Sequence, residues 1–195
     1  MALTETAPGL RRWTAWHDEW EEDVGCLAVD TDAGLVLIDP LDPPRGLGRP
    51  AHVLLTVHWH ARSTKARQVW AHRRAMRMLA NRGVEVSRPF TAGDPLPGGI
   101  QAFETARPGE VVYWLPRQRA IAVGDVLLAA GAKPRDTGAA LRLCPERWLG
   151  KATHDDLRAS LAPLLDLPVT RVLVSHGEPV LRVGRRALEA ALAAQ

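Results

Sequence analysis

Two histidines, two positions apart, close an apolar run: Val53-Leu54-Leu55-Thr56-Val57 leads directly into His58-Trp59-His60. On a strand, residues i and i+2 point to the same side. The spacing therefore predicts two imidazoles aimed into one space at a strand's end, which is metal-ligand chemistry. The next polar residues, Arg62 and Ser63, are not ordinary metal ligands. Two later apolar runs also end in ligand types. Residues 120–123 deliver Gly124-Asp125, and residues 171–175 deliver His176-Gly177. Strand ends that meet at one edge of a fold can gather ligands that are distant in sequence. Taken singly, Asp125 and His176 read equally well as turn residues.

The elements that must position these groups follow from pattern and punctuation. Residues 24–30 and 34–39 read as a hairpin with Thr31-Asp32-Ala33-Gly34 at its tip. Residues 41–50 are too rich in proline for a helix. A buried strand is expected over 52–57 and a short strand over 68–71. A helix is expected over 73–82, stopped by Gly83, and mostly turns over 84–99. Further strands are expected over 100–105, 110–115, 120–123 and 171–175. Thr153 and Asp156 have capping-box spacing, and Leu157, Leu161, Leu164 and Leu165 form the apolar face of the helix that follows. A last helix is expected over 185–192.

The bulk properties set outer bounds. With 195 residues, 46% hydrophobic and 24% charged, the chain suits one globular domain over 1–195. No apolar run approaches the roughly 20 residues of a membrane helix, and the first residues lack the apolar core of a signal peptide. A cytoplasmic location and no membrane partner are expected. Cys26 and Cys144 are far apart and suggest neither a zinc finger nor a disulfide. The formal charge of +3 gathers in the basic segment 62–82, which carries no recognition motif, so nucleic acid is not an expected partner.

In their order, five fragments resemble the metallo-β-lactamase-fold superfamily. They are Leu37-Ile38-Asp39, Leu54-Leu55-Thr56-Val57-His58, Pro108-Gly109-Glu110-Val111-Val112, Val123-Gly124-Asp125 and Val174-Ser175-His176-Gly177-Glu178. The resemblance runs from about residue 24 to the end. It implies an α+β fold, an αββα four-layer sandwich with its site at one edge between the sheets. The outer helices are trimmed: a proline-rich loop follows Asp39, and only residues 63–67 separate the histidine motif from the next strand.

The same resemblance implies a metal set of His58, His60, Asp125 and His176, with His58 and Asp125 catalytic and Asp39 behind them, orienting a histidine or the loop backbone. It also shows what is missing. In the family's His-x-His-x-Asp-His, Arg62 stands for the aspartate and Ser63 for the last histidine, and Ala106 and Arg107 stand where a further histidine is usual. No complete dinuclear centre is expected, and zinc is expected at partial occupancy or not at all. Two readings remain open. One is a divergent hydrolase with at most a single metal, acting on an ester, thioester or phosphoester. The other is a metal-free pseudoenzyme, a binding or interaction protein whose Arg62 and Arg107 hold a small anion, with Arg62 paired to Asp125 or another acid of the cavity as internal counter-ion. The thinned outer layer suggests a homodimer that covers it.

Overall fold

The computed structural model describes residues 3–133 and 138–194. The expected domain over 1–195 includes residues 1, 2, 134–137 and 195, which lie outside the described residues.

Seven strands form the larger sheet in chain order: β1 (Thr4–Ala7), β2 (Leu10–His17), β3 (Glu22–Thr31), β4 (Gly34–Ile38), β5 (His52–Leu54), β6 (Gln68–His72) and β7 (Arg88–Phe90). The first four pair antiparallel, and β4 to β7 pair parallel. β8 (Gln101–Glu104), β9 (Val111–Leu115) and β10 (Ala120–Val123) belong to a second sheet, with β13 (Arg171–Val174) on its far side in the order β13-β10-β9-β8. β11 (Leu127–Ala129) and β12 (Leu141–Leu143) form a small ribbon.

The sheets are packed by alternation. Leu27, Val29, Val36, Ile38 and Leu54 of one sheet meet Val111, Tyr113, Leu115, Ala122 and Leu173 of the other. The intervening positions Cys26, Ala28, Leu37 and Val53 face outward, under Trp13, Leu47 and Leu79. On the opposite outer face Ile121, Val123 and Val172 pack against α2 (His154–Leu161) and α3 (Gly184–Ala193) through Leu157, Leu161 and Leu188. Thr153 closes the expected capping box with Asp156, satisfying N–H groups that the first turn of α2 leaves open. The layers are therefore helix, sheet, sheet, helix. The first is thin: α1 (Met76–Asn81) has six residues, and Trp13 and the 41–50 loop complete the cover through Leu41 and Leu47. The bare face expected from the trimmed helices is thus covered by the chain itself. Among the described residues, no helix is long and apolar enough to cross a membrane.

Parallel pairing decides where the strands end. β4 and β5 run together, with Ile38 beside Leu54, so Asp39 and Leu55-Thr56 leave the sheet at the same edge. β10 and β13 do likewise, with Val123 beside Val174, so Gly124-Asp125 and Ser175-His176 emerge side by side. The sheets are tied at this edge by Val111 N–H to Thr56 O at 2.9 Å and Gly25 N–H to Ser175 O at 2.7 Å. A Cβ on Gly25 would lie 2.5 Å from Val174 O, so the approach of β3 needs glycine there.

One local expectation fails here. The strand expected over 52–57 stops at Leu54, and His58–His60 is a single 3₁₀ turn. Asp39 causes the departure. Its Oδ1 accepts from Thr56 N–H at 2.8 Å and its Oδ2 accepts from the Thr56 hydroxyl, so the Thr56 N–H goes to a side chain instead of a neighbouring strand. Asp39 itself sits at φ +47°, in the left-handed region that aspartate tolerates better than most residues. The i, i+2 rule for strands therefore does not apply to His58 and His60.

Candidate metal centre

Three of the four expected ligands meet. Among the described residues His60, Asp125 and His176 place one ligand atom each within 4.8 Å of one another, all buried. His58 is outside this group. The 3₁₀ turn sends it the other way, half-buried and edge-on to Trp59, with ring centroids 4.5 Å apart. Burial and the nearby Arg82 push its pKa down.

Asp125 is the hub. Its Oδ1 accepts from His176 Nε2 at 3.0 Å and lies 3.0 Å from His60 Nε2. The second contact is misaligned, so buried His60 Nε2 has no hydrogen-bond partner. Asp125 Oδ2 accepts from Trp59 Nε1–H at 2.7 Å. Each imidazole has a second carboxylate behind it. His60 Nδ1 is 2.8 Å from Asp39 Oδ2, and His176 Nδ1 is 2.7 Å from Glu22 Oε1, the latter close but poorly aligned. The result is a line of alternating groups: Asp39, His60, Asp125, His176, Glu22.

Charge follows from this line. Burial pushes the Asp125 carboxyl up, but His60 and His176 together hold it well below the usual carboxylate range. Burial lowers both imidazoles, and their carboxylates more than offset it. His60 ends above its ordinary value, and His176 is raised to about 9. In chelator-stripped protein the His176 imidazolium therefore stabilises the fold fully below pH about 6.5. That contribution is lost as pH rises through about 9. Chemical denaturation of stripped protein at both pH values should find it less stable at the higher one, by about 2–4 kcal/mol. A flat profile across that window would contradict the His176 assignment.

The arginines exchange the roles expected of them. Among the described residues Arg62 pairs with neither Asp125 nor another carboxylate. Its Nη2 donates a long bond of 3.4 Å to Asp39 O, its Nε and Nη1 are buried without partners, and its guanidinium lies 5.4 Å from the Trp20 ring centroid. The loop turns before Arg62, as it does at His60, so counting from the histidines misplaces it. Arg107 is the buried cation at the hub, 3.8 Å from Asp125 Oδ2 and 5.1 Å from the Trp59 ring centroid. Its Nη1 donates to Glu110 Oε2 at 2.8 Å. Glu110 Oε1 in turn accepts from Asp125 N–H at 2.7 Å and Val126 N–H at 3.0 Å. Burial pushes the Glu110 carboxyl up to about 7, against the pull of Arg107. Glu110 and Glu22 are the structural partners that sequence reasoning missed. Glu110 begins an apolar strand beside the Pro-Gly step, and that setting was the available signal.

The donor set fits one divalent ion. Two imidazoles and a carboxylate are a normal N/O ligand set for zinc with an open position. The fit rests on the unpartnered His60 Nε2 and on Asp39 behind that ring, hydrogen-bonded to Nδ1; Glu22 stands close behind the His176 ring. A second ion finds no comparable group among the described residues. A cleft of about 550 Å³ opens on the hub, with Trp20, Trp59 and Trp148 in its walls.

No family model matches the sequence, and no curated protein matches it either. Solved structures do. The chain is similar to a metallo-β-lactamase from Pontibacter korlensis, with TM-score 0.70 and 16% identity over 100% of this chain and 99% of that one. It is similar to a metallo-β-lactamase from Erythrobacter litoralis, with TM-score 0.71 and 16% identity over 97% and 93%. It is also similar to the metallo-β-lactamase FIM-1 from Pseudomonas aeruginosa in its mono-zinc form, with TM-score 0.67 and 13% identity over 98% and 92%.

Proposed function

From a chain with the metallo-β-lactamase fold, we propose a hydrolase whose site takes a single divalent ion, zinc by its donor chemistry, on His60, Asp125 and His176. One observation carries the reading: both imidazoles are backed by carboxylates on Nδ1 and turn Nε2 toward the same Asp125 oxygen. Charge supports it. Without an ion, two imidazoliums offset two of the three carboxylates of the line. With an ion, two protons leave and two positive charges return, so the buried charge is unchanged.

The bound ion would supply Lewis-acid activation of water and of a carbonyl or phosphoryl oxygen. The protein's groups do the rest. Asp39 fixes the His60 tautomer, and Glu22 offsets the charge of His176. Trp59 N–H holds the outer oxygen of Asp125, and Glu110 fastens the Asp125 backbone. Trp20 covers the rings of His60 and His176 at centroid distances of 5.8 and 5.5 Å, which limits water on that side. Hydrolysis of an ester, thioester or phosphoester fits this arrangement. A metal-free binding protein has one observation in its favour: Asp125 is already neutralised by its imidazoles and lies beside Arg107.

Zinc titration of chelator-stripped protein separates the two. The hydrolase reading expects about one zinc per chain, abolished by His60→Ala or His176→Ala and unaffected by His58→Ala. No binding at all selects the metal-free reading. Asp39→Asn gives a finer check. Asparagine tolerates the left-handed backbone and still accepts from Thr56 N–H. Its amide N–H, however, faces His60 Nδ1 and moves the ring proton to Nε2. Zinc affinity should fall about 10–100-fold with the fold retained.

A further inference from the structure

The cleft above the hub has a composition that the hub itself does not require. Three tryptophans, Trp20, Trp59 and Trp148, line it, and they come from three separate segments. Its cations differ in how far they are committed. Arg107 is spent on Glu110, and Trp59 covers its guanidinium. Lys133 Nζ donates to Glu21 O at 2.6 Å. Arg82 also lines the cleft, but its exposed guanidinium has neither an ion pair nor a hydrogen bond among the described residues. Arg62, expected to line an anion cavity, lies under Trp20 instead and does not line the cleft.

Indole walls favour flat, polarisable rings over aliphatic ones of equal size. A lone guanidinium at the rim favours one planar anion such as a carboxylate, taken in bidentate fashion. We infer that the cleft selects planar aromatic compounds bearing a single carboxylate, with the ring between the tryptophans and the carboxylate on Arg82. Resting on the hydrolase reading, this makes the substrate an aromatic ester with a separate carboxylate. In its hydrolysis the acyl C–O bond breaks, the hydroxyl of water joins the acyl carbon and its proton goes to the leaving oxygen. None of the acids of the cleft pairs with Arg82 among the described residues: Asp125 is held by its imidazoles, Glu22 lies against His176, and Glu19 is exposed and makes no ion pair.

The test is calorimetric titration of the whole chain, stripped of metal, so that it does not depend on zinc. The probes are 2-naphthoate, 2-naphthalenemethanol and cyclohexanecarboxylate. The naphthoate should bind about tenfold or more tightly than either control. Arg82→Gln should remove that advantage over the alcohol and leave alcohol binding unchanged. Trp148→Leu should weaken both ring probes. Arg82 is exposed and α1 ends before it, so its variant will fold. Equal binding of all three probes, or an unchanged naphthoate affinity in Arg82→Gln, would overturn the inference. Naphthoate selectivity without any zinc binding would uphold the ligand class while refuting the hydrolase reading.

Discussion

Glu110→Ala should cost about 3–5 kcal/mol of folding stability, read as a shift in the denaturant midpoint with unchanged slope. The alanine removes one buried charge and strands three donors. Arg107 Nη1 loses its 2.8 Å partner, and the N–H groups of Asp125 and Val126 lose theirs. Each orphaned backbone donor costs about 1–3 kcal/mol, and the unpaired guanidinium costs more. Glu110→Gln isolates part of this. Its carbonyl can still serve the two N–H groups, but its amide then faces Arg107 donor to donor, so an intermediate loss is expected. The double variant Arg107→Met with Glu110→Met should recover only the ion-pair part of the loss, because the N–H groups of Asp125 and Val126 still lack their acceptor. A single Glu110→Ala variant within about 0.5 kcal/mol of the parent would mean that water replaces the carboxylate and that this network is not closed.

Gly177→Ala is the second large effect. The backbone there has φ +92°, where a side chain is strained before any contact is considered. An added Cβ would lie 2.6 Å from Ala130 O, 2.7 Å from Ala129 O and 2.8 Å from Ala129 C. These are backbone atoms and cannot swing aside. Ala129 N–H also donates to His176 O at 3.1 Å, so the clash and His176 share one segment. Strain and overpacking together should cost about 3 kcal/mol or more. Relief by moving residue 177 would pull His176 Nε2 away from Asp125, and zinc affinity should fall with stability. Loss of stability with undiminished zinc binding would show that His176 is positioned independently of its neighbour.

Much of this architecture was legible in the residues. Periodicity and punctuation locate the 34–38 strand, the strands that end before Gly124 and Ser175, and the helix after Thr153, because each is decided by neighbours a few positions away. The order of the five fragments indicated the sandwich. The N-terminal hairpin of β1 and β2 was not anticipated. β2 alternates poorly, with Arg11, Arg12 and Thr14 half-buried among Leu10, Trp13 and Ala15. Its partner is a ten-residue strand that reads well by itself. Pro8-Gly9 was the available turn signal.

At the site the division is sharper. The order of residues along the chain shows which polar types follow which strands: Asp39, Thr56 with the following histidines, Asp125 and His176. It could not decide which histidine turns inward. That depends on Asp39, which draws Thr56 off the sheet and bends His58–His60 into a turn, so His60 enters the hub and His58 leaves it. Nor could it assign the counter-ion. Arg62 and Arg107 look equivalent in sequence, but it is Arg107 that lies 3.8 Å from Asp125, with its guanidinium held by Glu110 three residues on. Local pattern reports what a strand's neighbours along the chain prefer. Which side chains meet beyond the strand ends is decided by parallel pairing of distant strands and by buried polar groups that must each find a partner, and those conditions exist only in the folded chain.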